Sequence, residues 1–535
     1  MSSTSVTGAA TAGGRHHAGP PGGRLRGRLA WAAGTVLAGA ALFTCYLLQS
    51  RTVAVGSDGA SQALQAWDML HGNPLLHGWW VTDVSFYTTE LPQYMLIEAA
   101  RGLSSDVMHV AGAMSYTLLV LLAAFLARGR ARGKAGLTRA LVAGGIMLAP
   151  QLGFGTGTLV LSPDHTGTGV PVLLILLFID LAPARWYVPV LAGLGLAWTV
   201  LADAMALFVV VIPLALVCAI RVFQGVVLHR ERLRDRWYEL SLGAAAVVSV
   251  PVALAATALI RAHGGWQVHG LRTAIAGAGM LAGNLRLAGE GLLELFGADF
   301  AGAGSARAVV FAAIHLAGVA LVVAGFCLAV RRFFRRDMLI EPVLVTGIVI
   351  DVGAYVIGVQ AVNMLSTREI APVLPFAAVL AGRLLGDRIA AVRTLRYGLA
   401  AVLACYAAML GFAAAQPAAA PQYADLTGWL TGHHLTSGIS GYSQANIVTA
   451  TSGGTVSLRP VASAGKYLTG RAWNASTTWF DPARHDANFL VLSTFGAYEV
   501  SGKEAVATFG RPERTYRYRD YTIMVWHENL LARLR

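Results

Sequence analysis

The sequence predicts an all-α polytopic membrane bundle of about eleven transmembrane helices, with a small C-terminal α/β domain on the non-cytoplasmic side. Only 13% of the 535 residues are charged and 56% are hydrophobic, whereas about a quarter of the residues are charged in soluble proteins. The mean hydropathy of +0.58 indicates that most of the chain needs lipid as its solvent. The last stretch of about 120 residues is polar instead, and this change in composition predicts the separate domain.

Eleven apolar segments indicate the transmembrane helices. The first, Leu29–Gln49, follows a Gly-, Pro- and Arg-rich stretch (1–28) that we interpret as a disordered basic cytoplasmic tail. It is longer than a signal-peptide core and no A-x-A-like site follows promptly, so we predict that it stays as an anchor. Asp203 predicts a tight turn within the overlong stretch 186–220. The ten further predicted spans of the transmembrane domain (29–415) are 107–127, 140–161, 167–182, 186–202, 204–220, 240–260, 307–330, 340–360, 370–386 and 397–415.

The distribution of basic residues predicts the orientation. Of the 41 Lys and Arg residues, 23 fall in the segments that are cytoplasmic if the N-terminus is inside, seven fall in the opposite loops, and the remaining 11 follow residue 416. This asymmetry is the positive-inside pattern, so we predict a cytoplasmic N-terminus and an extracytoplasmic C-terminal domain. The net charge of +13 is accounted for mostly in this way, and we expect no nucleic-acid partner.

The first external loop (51–105) predicts two short helices. Ala60–His71 has an amphipathic pattern that the breakers Gly72-Asn73-Pro74 stop. Thr88 to Glu90 is typical of the start of a second helix, which we expect to end near Gly102.

The polar C-terminal segment (416–535) is rich in Thr, Ser, Tyr and Trp and is long enough to hold a core. It predicts strands at Asn446–Thr451, Thr455–Pro460, Asn488–Ser493 and Tyr521–His527, and helices at Tyr423–His434 and Glu504–Phe509.

Ionisable residues next to the predicted spans are the candidate site. Charge near lipid is costly and needs a partner or a function, and the predicted topology brings six such residues from distant segments to one side of the membrane. They are Asp58, Asp83, Asp164, His165, Arg368 and Glu369.

Structural roles compete with the functional ones. Asp58 could be the N-cap of the first loop helix, and Asp164 could cap the fourth span. His165 could be a hydrogen-bonded turn residue, and Arg368 could simply extend to the membrane interface. Asp351, in the middle of a predicted span, should either pack against a polar partner or line a proton or ion path.

This arrangement resembles the C-type (GT-C) glycosyltransferase superfamily, whose members use lipid-phosphate-linked sugars, and in particular its actinobacterial-type members. The likeness covers most of the chain: an internal N-terminus, a long first external loop with short helices, and a C-terminal external domain. Its motifs are the Asp soon after the first span, matched by Asp58, an acid in the next external loop, matched by Asp164, and an Arg followed by spaced prolines, matched by Arg368 with Pro372 and Pro375.

The resemblance implies a membrane enzyme that transfers a hexose or pentose from a polyprenyl-phosphate donor to an envelope glycan, lipid or protein. It implies Asp58 as the catalytic base or a metal-linked carboxylate, Asp164 as the second catalytic acid, and Arg368 as the ligand of the donor phosphate. We assign Asp83, His165 and Glu369 to substrate binding. A divalent cation is a candidate cofactor, although Ser57 stands where the family has a second acid, so we assign no metal ligand.

Two other functions remain open from the sequence. A transporter or flippase of lipid-linked intermediates would use Asp351, although nothing resembles an ATP-binding motif. A non-catalytic envelope scaffold could be built on a degenerate transferase fold. In each case we expect a multi-pass protein of the plasma membrane.

Overall fold

The structure is a computed structural model and describes residues 21–161, 164–268, 274–493 and 500–534. Most of the predicted N-terminal tail therefore lies outside the described residues. The first helix begins at Pro21, inside the stretch predicted to be disordered, and proline is favoured at the first position of a helix. Of the described residues, those from Phe43 onward form one compact unit, and those up to Leu42 form another.

Helices make up most of the described chain. They are α1 (Pro21–Ser50), α2 (Ser57–Leu70), α3 (Glu90–Arg101), α4 (Ser105–Arg128), α5 (Gly133–Ile146), α6 (Phe154–Thr156), α7 (Gly169–Leu181), α8 (Tyr187–Ala202), α9 (Ile212–Phe223), α10 (Trp237–Ala262), α11 (Ala278–Leu295), α12 (Ala306–Arg331), α13 (Ile340–Ile357), α14 (Val373–Ala391), α15 (Arg393–Ala414), α16 (Ala424–Gly432), α17 (Tyr442–Thr451) and α18 (Gly502–Phe509). Short π-helical segments extend α6 at Gly157–Leu161 and α9 at both ends, at Leu207–Val211 and Gln224–Leu228. Turns of 3₁₀ helix lie at Leu233–Arg236, Met364–Ile370, Thr477–Phe480 and Leu530–Arg533.

The chain is a multi-pass membrane protein. Within the described ranges, seven helices are long and apolar enough to cross a membrane, and an eighth span results if Met364–Ile370 and α14, which meet at a 47° bend, are counted together. The apolar helices α7 and α8 are shorter, with 13 and 16 residues. The number of spans, predicted as about eleven, therefore stays a prediction.

The predicted span 140–161 is not one helix. Helix α5 ends at Ile146, and the chain resumes helical structure only at Phe154. The break contains Pro150, which lacks an amide proton, and Gly153, whose φ of 82° is unfavourable for other residues. The tight turn predicted at Asp203 does interrupt the stretch 186–220, since α8 ends at Ala202, directly before Asp203.

Two sheets contain all the described strands. The strands are β1 (Trp79–Val81), β2 (Gln267–Val268), β3 (Ser437–Ser440), β4 (Ser457–Ala464), β5 (Tyr467–Gly470), β6 (Ala475–Ser476), β7 (Phe489–Ser493), β8 (Arg514–Tyr518) and β9 (Tyr521–Val525). The larger sheet has the order β5-β4-β3-β7-β9-β8, with β4, β3 and β7 parallel at its centre. The smaller sheet, β2-β1-β6, joins the first loop to the C-terminal segment.

The prediction of a strand at Asn446–Thr451 is wrong, because these residues belong to helix α17. Strands β3 and β4 are parallel, and parallel neighbours need a crossover connection that is usually a helix. Ile447 and Ala450 of α17 are buried in the same apolar cluster as residues of α2, α3 and α4. The C-terminal segment therefore packs directly on the first loop.

Candidate active site

Asp58 lies in the first turn of α2 and is not its cap. The N-cap position is Gly56, so the cap role considered for Asp58 is wrong. Its carboxylate is held by side chains of other segments instead. Oδ1 accepts a hydrogen bond of 2.6 Å from the Tyr442 hydroxyl, and Oδ2 lies 3.5 Å from both Nη1 and Nη2 of Arg368. A carboxylate in the first turn of a helix also lies in the favourable field of the helix dipole.

Asp164 lies on the other side of the same guanidinium. Its Oδ2 is 3.5 Å from Nη1 of Arg368, and its Oδ1 accepts a hydrogen bond from the Gln62 amide, one turn along α2 from Asp58. Burial raises the pKa of Asp164, although the Arg368 guanidinium opposes the rise. Three residues that are far apart in the sequence and were predicted to lie on one side of the membrane are thus in contact, with the arginine between the two carboxylates.

Arg368 is held at this point by a bend in the chain. It lies in the 3₁₀ turn Met364–Ile370, which the Asn363 side chain caps and which meets α14 at 47°. The neighbouring Thr367 is fully buried and bonds back to the Met364 carbonyl. Each contact of Arg368 with a carboxylate is 3.5 Å, long for a charge-assisted hydrogen bond. The two acids therefore hold the guanidinium in position but leave part of its hydrogen-bonding capacity free.

His165 forms a buried ion pair with Asp203, the residue of the predicted turn. Nδ1 of His165 lies 2.8 Å from Oδ2 of Asp203, which also accepts from Thr168. Burial disfavours the charged imidazole, but the Asp203 carboxylate outweighs it and raises the pKa of His165 to about 9. Burial also opposes ionisation of Asp203, yet the imidazolium holds the pKa of that carboxyl below its usual range.

We expect this pair to stabilise the fold in a pH-dependent way. The pKa of His165 is raised from 6.5 to about 9, so its contribution is complete below about pH 6.5 and is lost as the pH rises through 9. His165→Gln should therefore lower the melting temperature at pH 6 more than at pH 10. The exposed His263, which has no acidic partner within salt-bridge distance among the described residues, gives the control His263→Gln. An equal loss at both pH values would show that the pair is not ionised.

A cavity of about 360 Å³ lies beside the three central residues. His165 follows Asp164 in the chain and Glu369 follows Arg368, and both line this cavity together with the predicted Asp83. Asp203 and Asp351 complete its acidic lining. The six predicted residues thus divide into a central group of three and a cavity wall of three.

Asp351 contributes an unsatisfied oxygen to this cavity. It is 6% exposed, and its Oδ2 has no hydrogen-bond partner among the described residues. The expected polar partner is thus absent for this atom. A buried carboxyl oxygen without a partner is costly, so Asp351 offers a hydrogen-bonding group to whatever enters the cavity.

The sequence interpretation missed Tyr442 and Asn474, both from the C-terminal segment. Besides the Tyr442 bond to Asp58, the Asn474 amide donates to the Tyr442 hydroxyl at 2.9 Å and lies 3.5 Å from Asp58. Only fold topology could have indicated them, since Tyr442 follows the carboxyl end of a central parallel strand, where α/β sheets place their ligand sites. The predicted strand in this region concealed that position.

The divalent cation considered from the sequence stays a prediction. Asp58 and Asp164 are the acids that could supply ligands at the centre, and the Arg368 guanidinium lies between them. In the described part of the chain, no three His, Cys, Asp or Glu side chains are grouped so that they could hold a metal ion.

No protein-family model and no curated protein matches this chain. Among solved structures, ArnT from Cupriavidus metallidurans in the apo state matches with a TM-score of 0.57 and 14% identity, over 93% of this chain and 98% of ArnT. The same ArnT bound to undecaprenyl phosphate gives 0.52 and 13%, over 92% and 98%. The oligosaccharyltransferase of Archaeoglobus fulgidus gives 0.45 and 13%, over 85% and 69%.

ArnT is a C-type glycosyltransferase. The chain therefore has the fold of the C-type glycosyltransferases, as its resemblance to that superfamily predicted.

Proposed function

We propose that this protein is a glycosyltransferase that moves a sugar from a polyprenyl-phosphate donor to an acceptor of the cell envelope, on the non-cytoplasmic face. The observation that carries the proposal is one arginine held between two carboxylates beside a sugar-sized cavity, on a C-type glycosyltransferase fold. The asymmetry of Lys and Arg supports the orientation, with the first loop and residues 416–535 outside.

Arg368 would hold the donor phosphate. A guanidinium presents two parallel N–H groups that match phosphate oxygens, and its long contacts with Asp58 and Asp164 leave that capacity free. ArnT was solved with undecaprenyl phosphate, which supports a lipid phosphate as the ligand of the shared fold. As the bond between the sugar and the phosphate breaks, the leaving phosphate keeps the electron pair, and Arg368 stabilises its growing charge.

Asp58 would act as the general base. The acceptor hydroxyl attacks the anomeric carbon of the sugar, and the carboxylate takes the hydroxyl proton as the new glycosidic bond forms. Asp164 would hold Arg368 from the opposite side, with Gln62 fixing its own orientation. No step requires a metal ion, since the positive charge at the centre comes from Arg368.

The sugar would enter the acid-lined cavity. Asp83, Asp351 and Glu369 offer acceptors for its hydroxyl groups, and about 360 Å³ is within the range of small-ligand pockets. Glu369 lines this cavity and directly follows Arg368 in the chain, so the cavity and the proposed phosphate site are neighbours.

A transfer assay tests the function. The full chain in proteoliposomes would receive undecaprenyl phosphate carrying radiolabelled sugars, one sugar type at a time, together with an envelope fraction as acceptor. We expect label to move from the organic-soluble donor to the envelope fraction for at least one sugar, and undecaprenyl phosphate to be released in equal amount. Label that stays on the donor for every sugar would overturn the proposal.

Asp351 separates the transferase from a transporter. Its unpartnered oxygen in the cavity is what a proton-coupled carrier would use. In the transferase, Asp351→Asn should remove one hydrogen bond to the sugar and lower kcat/KM by about three- to tenfold. The measurement is kcat/KM for transfer, beside flux of lipid-linked sugar across the liposome bilayer. Severe loss of flux in this variant, without sugar transfer by the wild type, would favour the carrier.

A further inference from the structure

We propose that Tyr442, in the C-terminal segment, is a positioning residue that orients Asp58 and leaves its Oδ2 as the proton-accepting atom. The inference rests on the proposed glycosyl transfer, and it gives the C-terminal segment a part in the chemistry. The motifs of the first loop indicate neither the position of Tyr442 nor its residue type.

Tyr442 is fixed in place by the fold. It is the first residue of α17 and follows β3 through a single residue, Gly441. Its side chain is 3% exposed, and the Arg471 guanidinium stacks over its ring at 5.0 Å. The hydroxyl therefore has little freedom to leave Asp58.

Asn474 connects Tyr442 to the first loop through hydrogen bonds. Its amide donates to the Tyr442 hydroxyl at 2.9 Å, while its backbone carbonyl accepts from Ser61 of α2 and from Asn446 of α17. Asn474 has a φ of 49°, a left-handed conformation that asparagine adopts more readily than most residues. The same residue begins an Asn-Ala-Ser sequon, but its side chain is buried in this contact and unavailable for glycosylation.

The direction of the bond between Tyr442 and Asp58 follows from these contacts. Burial and the Asp58 carboxylate raise the pKa of Tyr442, so the hydroxyl keeps its proton. Since the hydroxyl oxygen accepts from Asn474, its single proton is donated to Oδ1 of Asp58, at 2.6 Å. Oδ1 is thus occupied by the hydrogen bond from Tyr442. Oδ2 faces Arg368, where the donor phosphate and the acceptor hydroxyl would meet.

Loss of the tyrosine hydroxyl should alter the base in two ways. The carboxylate would become free to rotate, which lowers the fraction of complexes in the reactive geometry. It would also lose a donor that stabilises its charged form, so it would bind a proton at higher pH. The other charged groups that face Asp58 are Arg368 and, beyond it, Asp164, and both remain in such a variant.

The test compares Tyr442→Phe with two other variants of the full chain. Phe keeps the ring and removes only the hydroxyl. We expect kcat to fall about tenfold with the KM for the donor unchanged, and the acid limb of the pH–rate profile to move up by roughly one unit. Asn474→Gly, which preserves the left-handed backbone, should give a smaller shift in the same direction. Tyr516→Phe removes a hydroxyl elsewhere in the same segment and should change neither quantity.

A second readout is independent of transfer. Carbodiimide labelling of Asp58, followed by mass spectrometry over a pH series, reports where the carboxyl loses its proton. We expect the midpoint to move up in Tyr442→Phe and to stay in Tyr516→Phe. An unchanged midpoint, or an unchanged acid limb with an active wild type, would overturn the role of Tyr442. A shifted midpoint in a protein that transfers no sugar would instead contradict the proposed function alone.

Discussion

Asp58→Asn should lower turnover by about 10²–10⁴-fold, the usual contribution of a general base, while the protein still folds and still binds the donor. Asparagine keeps the shape of the side chain, and its amide oxygen can still accept from Tyr442. What it loses is the ability to take a proton. The measurement is the initial rate of sugar transfer in proteoliposomes, beside donor affinity in detergent.

The control for this change is Asp520→Asn, the same chemical substitution at an exposed residue in the turn between β8 and β9. It should leave the rate within experimental error. Near-normal transfer by Asp58→Asn would eliminate Asp58 as the base and move the assignment to Asp83 or Asp164. Loss of both transfer and donor binding would indicate a structural role.

Arg368→Lys should weaken binding of undecaprenyl phosphate by roughly 10- to 100-fold, the range expected for losing a hydrogen bond to a charged group. Lysine keeps the positive charge, but a single ammonium could not hold a phosphate in two-pronged contact while also contacting the two carboxylates that the guanidinium reaches. The rate of transfer should fall further than the affinity, because the charge of the leaving phosphate develops at this point. Equilibrium binding of the lipid phosphate and kcat measure the two effects separately.

The matched control is Arg286→Lys, an exposed arginine on α11 whose partner is Glu290 on the same helix. It should change neither affinity nor rate. If Arg368→Lys also binds the lipid phosphate normally, Arg368 only reaches towards the membrane interface, and the phosphate site lies elsewhere.

The sequence predicted the helical bundle well because apolar composition is a local property. Most of the predicted spans correspond to single helices, and the turn at Asp203 was indicated by one charged residue in an apolar stretch. The segment 140–161 failed because its hydropathy is that of a span, whereas Pro150 and Gly153 interrupt the backbone. Mean hydropathy is averaged over a whole stretch, whereas the backbone is interrupted at individual residues.

The C-terminal segment was harder to predict. The residues Ile447 to Thr451 have a composition typical of strands, yet they are helical because two parallel strands flank them and need a crossover. The parallel pairing of β3 with β4 cannot be read from the local sequence pattern of these residues. The extracytoplasmic domain boundary at residue 416 stays a prediction.

The central group was predictable in part. Asp58, Asp164 and Arg368 were found because charge is rare near the spans and the topology brings loops to one side. That Arg368 lies between the two carboxylates could not be derived, since it depends on the bend before α14. Tyr442 and Asn474 could not be found from local patterns, because they contact Asp58 only when the C-terminal segment packs on the first loop.

A structure of the full chain with undecaprenyl phosphate tests the central claim most directly. We expect the phosphate within hydrogen-bond distance of the Arg368 guanidinium, beside Asp58 and Asp164 and at the entrance of the acid-lined cavity. A phosphate bound away from Arg368, with the guanidinium still between the two carboxylates, would contradict it.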